Sequence, residues 1–148
     1  MNIRVLVFIL SLLTSSYSLA DVDDKECQEW TNKVIESPTT HCGACTQAKD
    51  FDEFNYRSGL INAFKSKKGL INFIKYTGRS TIMGAGADEQ GCHLQTLLLK
   101  WGDKTFSNAA TTAGQKAKVQ VIGLLDYVAV PDFEKRFPKT YNLVNEHE

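Results

Sequence analysis

The chain of 148 residues has no excess charge of either sign, since 17 basic and 17 acidic residues balance. That balance argues against a general binder of nucleic acid or of membrane surfaces, because such binders depend on a positive surface. Proline is scarce, with three residues, and no low-complexity tract or linker divides the chain. The sequence therefore predicts one ordinary domain rather than several.

Long apolar runs are also lacking, except near the start of the chain. The run from Val5 to Leu13 is about nine residues long, too short for the ~30 Å hydrocarbon core of a membrane. Arg4 precedes this run, and a Ser-Leu-Ala sequence with small residues at both signal-peptidase positions ends just before Asp21. This order predicts a cleaved signal peptide over residues 1–20, and it fits an uncleaved anchor less well. We expect an exported protein, periplasmic in a Gram-negative cell or extracellular, without stable membrane insertion.

Cysteine is limited to four residues, all in the predicted mature chain: Cys27, Cys42, Cys45 and Cys92. An even number in an exported protein predicts two disulfides, and four cysteines allow three pairings. We expect Cys27 and Cys92 each to pair with one of the Cys42/Cys45 couple, because disulfides that close long loops constrain the unfolded chain most.

Apolar residues recur at helical spacing through most of the mature chain. The pattern predicts a mainly α fold: a compact, disulfide-stapled bundle of about five short-to-medium helices in one domain, residues 21–148. A strand over 119–130 is the alternative there, but the apolar spacing follows 3.6 better than 2. The predicted helices cover 24–36, a segment that starts near Asp50 or already at Thr46, 59–76 as one helix weakened at Gly69 or as two short ones, 88–101, and 113–130.

Several polar residues carry signals for the starts of these helices. Asp88 and Asp103 are predicted N-caps, and the Thr-x-x-Gln sequence from Thr112 predicts a capping box. Gly102 suits the left-handed position after a helix, so the Trp-Gly-Asp sequence predicts a tight corner between two helices. Residues 77–87, rich in glycine and small side chains, are predicted to form a loop.

Cys42-Gly43-Ala44-Cys45 is the motif that most suggests chemistry. In these four residues it resembles the active site of thioredoxin-type oxidoreductases, which implies redox exchange through an activated thiol. The polar residues 36–41 stand where that fold needs a buried strand. A structural disulfide is therefore the favoured interpretation.

Other candidate sites are weaker still. A Cys₃His zinc site could use Cys42, Cys45 and Cys92 with His93 or His41, but export favours disulfides over thiolates. Gly84-Ala85-Gly86 begins like a dinucleotide-binding loop, but Glu89 replaces the third glycine. The acidic groups Asp50, Asp52, Glu53 and Asp88, Glu89 fit helix N-termini. We predict no catalytic residue, no metal and no cofactor.

Positive charge is concentrated in one segment. Between residues 57 and 80 there is no acidic residue, and six basic residues lie there: Arg57, Lys65, Lys67, Lys68, Lys75 and Arg79. A local positive surface can steer an anionic partner. We predict that these residues contact an acidic partner; the alternative is a solvated helix face.

In size and architecture the chain resembles the small periplasmic immunity proteins that accompany secreted cell-wall amidases. The resemblance implies an inhibitor that neutralises a secreted toxin or cell-wall hydrolase by binding it. The expected partner is an exported or envelope protein with an acidic surface. Alternatives are an enzyme, either a C-x-x-C thiol–disulfide oxidoreductase or an unrecognised envelope hydrolase, and then a carrier of apolar ligands. Because no active site is recognisable, binding is favoured over catalysis.

Overall fold

Helices form every regular element in residues 19–144, the part of the chain that the structure, a computed structural model, describes. Except for its last two residues, the predicted signal peptide lies outside these residues. Seven helices have ten or more residues: α1 (Leu19–Glu36), α2 (Gly43–Asp52), α3 (Tyr56–Lys65), α4 (Lys67–Thr77), α5 (Ala85–Trp101), α6 (Asp103–Ala113) and α7 (Gln115–Tyr127). Two four-residue helices, α8 (Phe133–Arg136) and α9 (Pro138–Tyr141), and a 3₁₀ turn (Asn142–Val144) follow. The mainly α prediction is confirmed, with nine α-helices in the described range instead of about five.

The core is built around α5, which packs against α1, α2, α3, α6 and α7. Leu94, Leu97 and Leu98 on this helix are fully buried, and its polar residues Gln90 and His93 are buried as well. Neighbouring helices cover most of the circumference of α5, so residues on several of its faces are buried, polar ones included. For this reason α5 lacks the single apolar stripe that marks a surface helix. No helix within residues 19–144 has the length and apolar character needed to cross a membrane.

The α3–α4 pair confirms the second form of the 59–76 prediction, two short helices, but the break falls at Ser66 and not at Gly69. Ser66 has extended backbone angles, and its hydroxyl accepts a hydrogen bond from Gly69 N at 3.0 Å. A Cβ atom on Gly69 would lie 2.0 Å from the carbonyl oxygen of Asn62. Gly69 therefore allows α4 to pack closely against α3, rather than ending a helix.

Two predicted helix starts are wrong. Asp50 lies in the last turn of α2, and Glu53 follows that helix in the left-handed conformation, with φ of 53°. Asp88 lies in the first turn of α5, because the helix already begins after Gly84, which has φ of 57°. Acidic residues stabilise the first turn of a helix as well as its cap, so the signal located the start of α5 only approximately.

The corner at Gly102 is confirmed, but Asp103 does not cap α6. Gly102 itself, with φ of 76°, precedes the helix, and Asp103 is its first residue. The Asp103 carboxylate accepts hydrogen bonds from the backbone N of Lys139 and of Thr140, at 2.9 and 2.7 Å. It thereby caps α9, which is far away in the sequence.

The capping box predicted at Thr112 is absent. The Thr112 hydroxyl donates to the carbonyl oxygen of Asn108, one turn earlier in α6. Gly114, with φ of 105°, separates α6 from α7, which has no side-chain cap. The predicted helix 113–130 is therefore shorter at both ends, Gln115–Tyr127.

The predicted disulfide pairing is wrong. Cys27 pairs with Cys92 and joins α1 to α5, whereas Cys42 pairs with Cys45 at the start of α2. Cys42 and Cys45 are three residues apart across a helical turn, which brings their Cα atoms to 5.1 Å. The effect of loop length concerns the unfolded chain, but the pairing depends on which sulfur atoms the fold brings together.

Candidate functional site

Helix α2 carries two features besides its packing against the core. Its N-terminus holds the Cys42–Cys45 disulfide. Its side chains also hold residues 78–84, which connect α4 to α5 and are called the α4–α5 loop below. The loop was predicted from its small residues, but the hydrogen bonds that fix it were not.

Four hydrogen bonds with two α2 side chains fix this loop, three of them to its backbone. The Gln47 amide donates to the carbonyl oxygen of Met83 at 3.0 Å and accepts from Met83 N at 2.9 Å. Asp52 accepts from Thr81 N at 3.1 Å and from the Thr81 hydroxyl at 2.6 Å. The loop is therefore held in one conformation at two points along its length.

Two large apolar side chains project from this surface. Phe51 and Met83 are each 67% exposed. Phe51 lies one helical turn after Gln47, so it is on the same face of α2 as the residue that binds the Met83 backbone. Exposed apolar side chains on a surface that the fold holds in place are candidates for contact with a partner. We call Phe51 and Met83 the apolar tip.

Asp52 is the charged group that supports the tip. Its carboxylate also accepts a hydrogen bond from the Tyr76 hydroxyl at 2.7 Å. Burial acts to raise the pKa of Asp52, but the hydrogen bonds from Thr81 and Tyr76, with the charge of Arg79, outweigh it and lower the pKa. Asp52 is therefore ionised and holds the loop at neutral and mildly acidic pH.

An aromatic stack lies beside Asp52. The rings of Phe54 and Tyr76 are stacked with their centroids 3.7 Å apart, and the Arg79 guanidinium lies 5.2 Å from the Tyr76 centroid. Burial raises the pKa of Tyr76, so its hydroxyl keeps its proton and donates. The stack makes the base of the α4–α5 loop rigid.

A buried polar pair lies in the core, between α3 and α5. The Tyr56 hydroxyl and His93 Nδ1 are 2.8 Å apart, and both residues are buried. Burial lowers the pKa of His93 to about 3 and raises that of Tyr56 well above its usual value. A histidine this acidic is a poor general base near neutral pH. The pair therefore fits a structural role and not a catalytic one.

The Cys42–Cys45 disulfide is the N-terminal cap of α2. Cys42 Sγ accepts a hydrogen bond from Cys45 N at 3.1 Å, and the Glu89 carboxylate accepts one from Ala44 N at 2.8 Å. Cys42 is buried, but Cys45 lines an open groove of about 630 Å³ together with Tyr56 and other residues of α2 and α3.

The zinc alternative lacks its thiolates, because all four cysteines form disulfides. His93 is also bonded to Tyr56 through one ring nitrogen. Within the described residues, no three His, Cys, Asp or Glu side chains come together as a metal site requires. In the Gly84-Ala85-Gly86 sequence, Gly84 supplies a positive φ before α5, and Gly86 allows close packing, since a Cβ there would lie 2.7 Å from Gln47 Nε2.

The six basic residues of segment 57–80 fall into separate groups. Arg57 is half-buried, and its guanidinium donates to the carbonyl oxygens of Ser37 and Thr40. Three exposed lysines surround the α3–α4 turn: Lys65, Lys67 and Lys68. Lys75 and Arg79 lie towards the other end of α4, which is about 16 Å long. Lys67 also lines a groove between α4 and α6 with Lys104.

The residues that hold the apolar tip were not predicted from the sequence. Gln47 and Asp52 bind loop residues that are 36 and 29 positions away, and no local pattern reveals such a contact. One signal was present: an Ile-Met pair stands within a loop otherwise made of small and polar residues.

No protein family, curated protein or solved structure matches this chain.

Proposed function

We propose that the protein is an exported inhibitor of the immunity type, which neutralises a secreted toxin or cell-wall hydrolase by placing the α4–α5 loop in its cleft. The observation that carries this proposal is the apolar tip. Met83 and Phe51 are two-thirds exposed, yet the Met83 backbone is fixed to Gln47 by two hydrogen bonds.

A fixed loop suits tight binding. Association costs free energy for each segment that becomes ordered, and a loop that is already ordered avoids much of that cost. Large apolar side chains that fill a pocket in the partner supply most of the binding free energy at many interfaces. The tip combines both properties: Phe51 stands on a helix, and Met83 stands on a loop held by side chains of that helix.

The ionisable groups near the tip favour binding over catalysis. Asp52 holds the loop, Glu89 caps α2, and His93 is buried with a pKa of about 3. Each group has a structural partner, which favours a structural role over proton transfer. The two disulfides are typical of a protein that works in an oxidising, exported compartment.

The lysines of the α3–α4 turn supply long-range attraction in this proposal. Lys65, Lys67 and Lys68 are exposed, and none is within ion-pair distance of an acidic side chain among the described residues. Such charges speed association with an acidic surface more than they strengthen the final complex. The expected partner is therefore an exported protein that is acidic around its cleft.

The first test compares two charge insertions at exposed apolar positions. The tagged protein is used to capture partners from the exported fraction of its own cells, as wild type, as Met83→Asp and as Val119→Asp. Val119 is 45% exposed on α7, in a groove that it lines with residues of α8 and α9, and serves as the matched control. We expect wild type and Val119→Asp to capture one stoichiometric toxin or hydrolase and to inhibit it, and Met83→Asp to do neither. Equal capture and inhibition by Met83→Asp would contradict the proposal.

A second test concerns the lysines. Replacing Lys65, Lys67 and Lys68 by Glu should slow association with the captured partner about tenfold or more at low salt and flatten its salt dependence. The control carries three replacements of exposed lysines elsewhere, Lys116, Lys135 and Lys139, by Glu, so that the net charge is the same. Stopped-flow or surface-based kinetics at two salt concentrations measure the effect. If both triple variants associate at the same rate, the α3–α4 turn does not steer the partner.

A further inference from the structure

The Cys42–Cys45 disulfide differs from Cys27–Cys92 in both position and surroundings. It caps the N-terminus of α2, and the groove that Cys45 lines carries an excess of positive charge. We propose that Cys42–Cys45 is a thiol–disulfide exchange site, where the thiolate of a dithiol partner protein attacks Cys45 and Cys42 is the leaving group.

The surroundings select Cys45 as the sulfur under attack. Cys42 is only 5% exposed, whereas Cys45 is partly exposed and lines the groove. Lys49 and Arg57 line the same groove with one acidic residue, Glu53. The groove therefore carries one more positive than negative charge, which favours the approach of an incoming thiolate.

The surroundings also select Cys42 as the leaving group. Its Sγ already accepts a hydrogen bond from Cys45 N at 3.1 Å, in the position of a helix cap. When the disulfide opens, negative charge develops on this sulfur at the positive end of the helix dipole. Backbone N–H groups and the dipole at a helix N-terminus stabilise a thiolate.

The exchange balances as follows. The partner's thiolate forms an S–S bond to Cys45, the Cys42–Cys45 bond breaks, and Cys42 leaves with the electron pair. The partner's second thiolate then attacks the partner's sulfur atom in this mixed disulfide, and Cys45 leaves with the electron pair. Two electrons and two protons pass from the partner's dithiol to the cysteines, so the partner leaves oxidised to a disulfide and the protein is left as a dithiol.

Glu89 positions the first turn of α2, and its negative charge opposes this step. Its carboxylate binds Ala44 N at 2.8 Å, within the same first turn of α2, and its oxygens are close to Gly43. A negative charge here competes with a thiolate on Cys42 for the positive end of the helix. Removing that charge should lower the pKa of the Cys42 thiol and make it a better leaving group.

The second disulfide also lines a groove, through both Cys27 and Cys92, but it has neither the helix end nor the positive charge. Cys27 lies within α1 and Cys92 within α5, where the backbone N–H groups belong to the helices. The groove beside Cys27–Cys92 is lined by Glu26, Glu29 and one basic residue, Lys33, so it carries one more negative than positive charge. An incoming thiolate is repelled there, and the leaving sulfur has no free helix end.

The test reduces the native protein with limiting reduced glutathione or dithiothreitol, traps free thiols with iodoacetamide, and maps them by peptide mass spectrometry. We expect Cys42 and Cys45 to be reduced at least about tenfold faster than Cys27 and Cys92, with the glutathione adduct on Cys45. Equal reduction rates, or an adduct on Cys42, would overturn the proposal.

A variant pair tests the leaving group. Glu89→Gln should speed reduction of Cys42–Cys45 several-fold, and Asp88→Asn, which removes a neighbouring exposed charge on α5, should leave the rate unchanged. An unchanged or slower rate in Glu89→Gln would contradict the assignment of Cys42 as the leaving group. If Glu89→Gln loses its helical circular dichroism, the wild-type rate order and the position of the adduct still decide.

Discussion

His93 shows how a single buried residue shapes the behaviour of this molecule. Its ring is fully enclosed on α5, with one nitrogen bonded to Tyr56 and the other without a partner in the described part of the chain. The structure can hold this histidine only in the neutral form, since a charged ring at this site would lose its hydration. Because of this burial, acid destabilises the folded protein.

We predict that protonation of His93 makes the unfolded state more favourable as pH falls. The pKa of His93 is about 3 in the folded state and about 6.5 in an unfolded chain. Between these values the unfolded state binds one more proton, so the free energy of unfolding decreases by about 1.4 kcal/mol per pH unit as pH falls. Urea unfolding at several pH values from about 6 to about 4 measures this slope in wild type and in His93→Gln. Equal slopes in the two proteins would contradict the prediction.

At the scale of single residues, the local sequence identified some of the residues that form disulfides or caps, but it assigned them the wrong partners. Cysteine number predicted two disulfides, and both are present. The cap predicted for Asp88 failed because α5 already begins at Ala85, and the cap predicted for Asp103 failed because a carboxylate can bind a backbone N–H from any segment nearby. Asp103 binds the start of α9, 36 residues away in the sequence. No rule based on local spacing predicts a contact at that separation.

Among the helices, the α3–α4 pair illustrates how glycine sets the distance between two elements. Gly69 has no room for a Cβ because the backbone of Asn62 lies against it. Gly123 in α7 has open space around its Cα. The two glycines look alike in sequence, since each interrupts a helical pattern, and only the packing distinguishes them.

Alanine substitutions at these two positions should therefore have opposite effects. Gly69→Ala should lower the free energy of unfolding by about 1–3 kcal/mol or more, because the methyl group meets backbone that cannot move aside easily. Gly123→Ala should raise it by about 0.5–1 kcal/mol, since alanine loses less backbone entropy in a helix. Urea titration of both variants measures the difference. Destabilisation by Gly123→Ala, or tolerance of Gly69→Ala, would show that the packing argument fails.

The element scale also shows why helices were predicted better than their ends. The 3.6-residue apolar repeat reflects the burial of one helix face, and it is present wherever a helix packs on the core. The starts of α5, α6 and α7 follow Gly84, Gly102 and Gly114, each with a positive φ. Positive φ depends on the path of the chain, and a glycine alone does not reveal it.

Across the whole molecule, the disulfides and α5 connect the ends of the chain to its centre. Cys27–Cys92 ties α1 to α5. Asp24, near the start of the described chain, forms an ion pair with Arg136, near its end. The Gln95 amide of α5 donates to the same Asp24 carboxylate. Removing the bond between α1 and α5 should therefore affect the entire bundle.

We predict unequal costs for removing the two disulfides. The Cys27→Ala/Cys92→Ala variant should lose about 4 kcal/mol of stability, because this bond joins residues 65 positions apart. The Cys42→Ala/Cys45→Ala variant should lose about 2 kcal/mol, because its residues are three positions apart. Chemical unfolding under non-reducing conditions compares the two with wild type. A larger loss in the Cys42→Ala/Cys45→Ala variant would contradict this ranking.

The short disulfide has a further consequence for the order in which the chain matures. A ribosome makes Cys27 first, then Cys42 and Cys45, and Cys92 last, so during synthesis the nearest available sulfur atoms for Cys27 are the wrong ones. If the Cys42–Cys45 disulfide forms early, Cys27 can pair only with Cys92. The three possible connectivities are then reduced to one. The small ring at the start of α2 therefore protects the pairing of the large one, much as a blocking group directs a chemical synthesis.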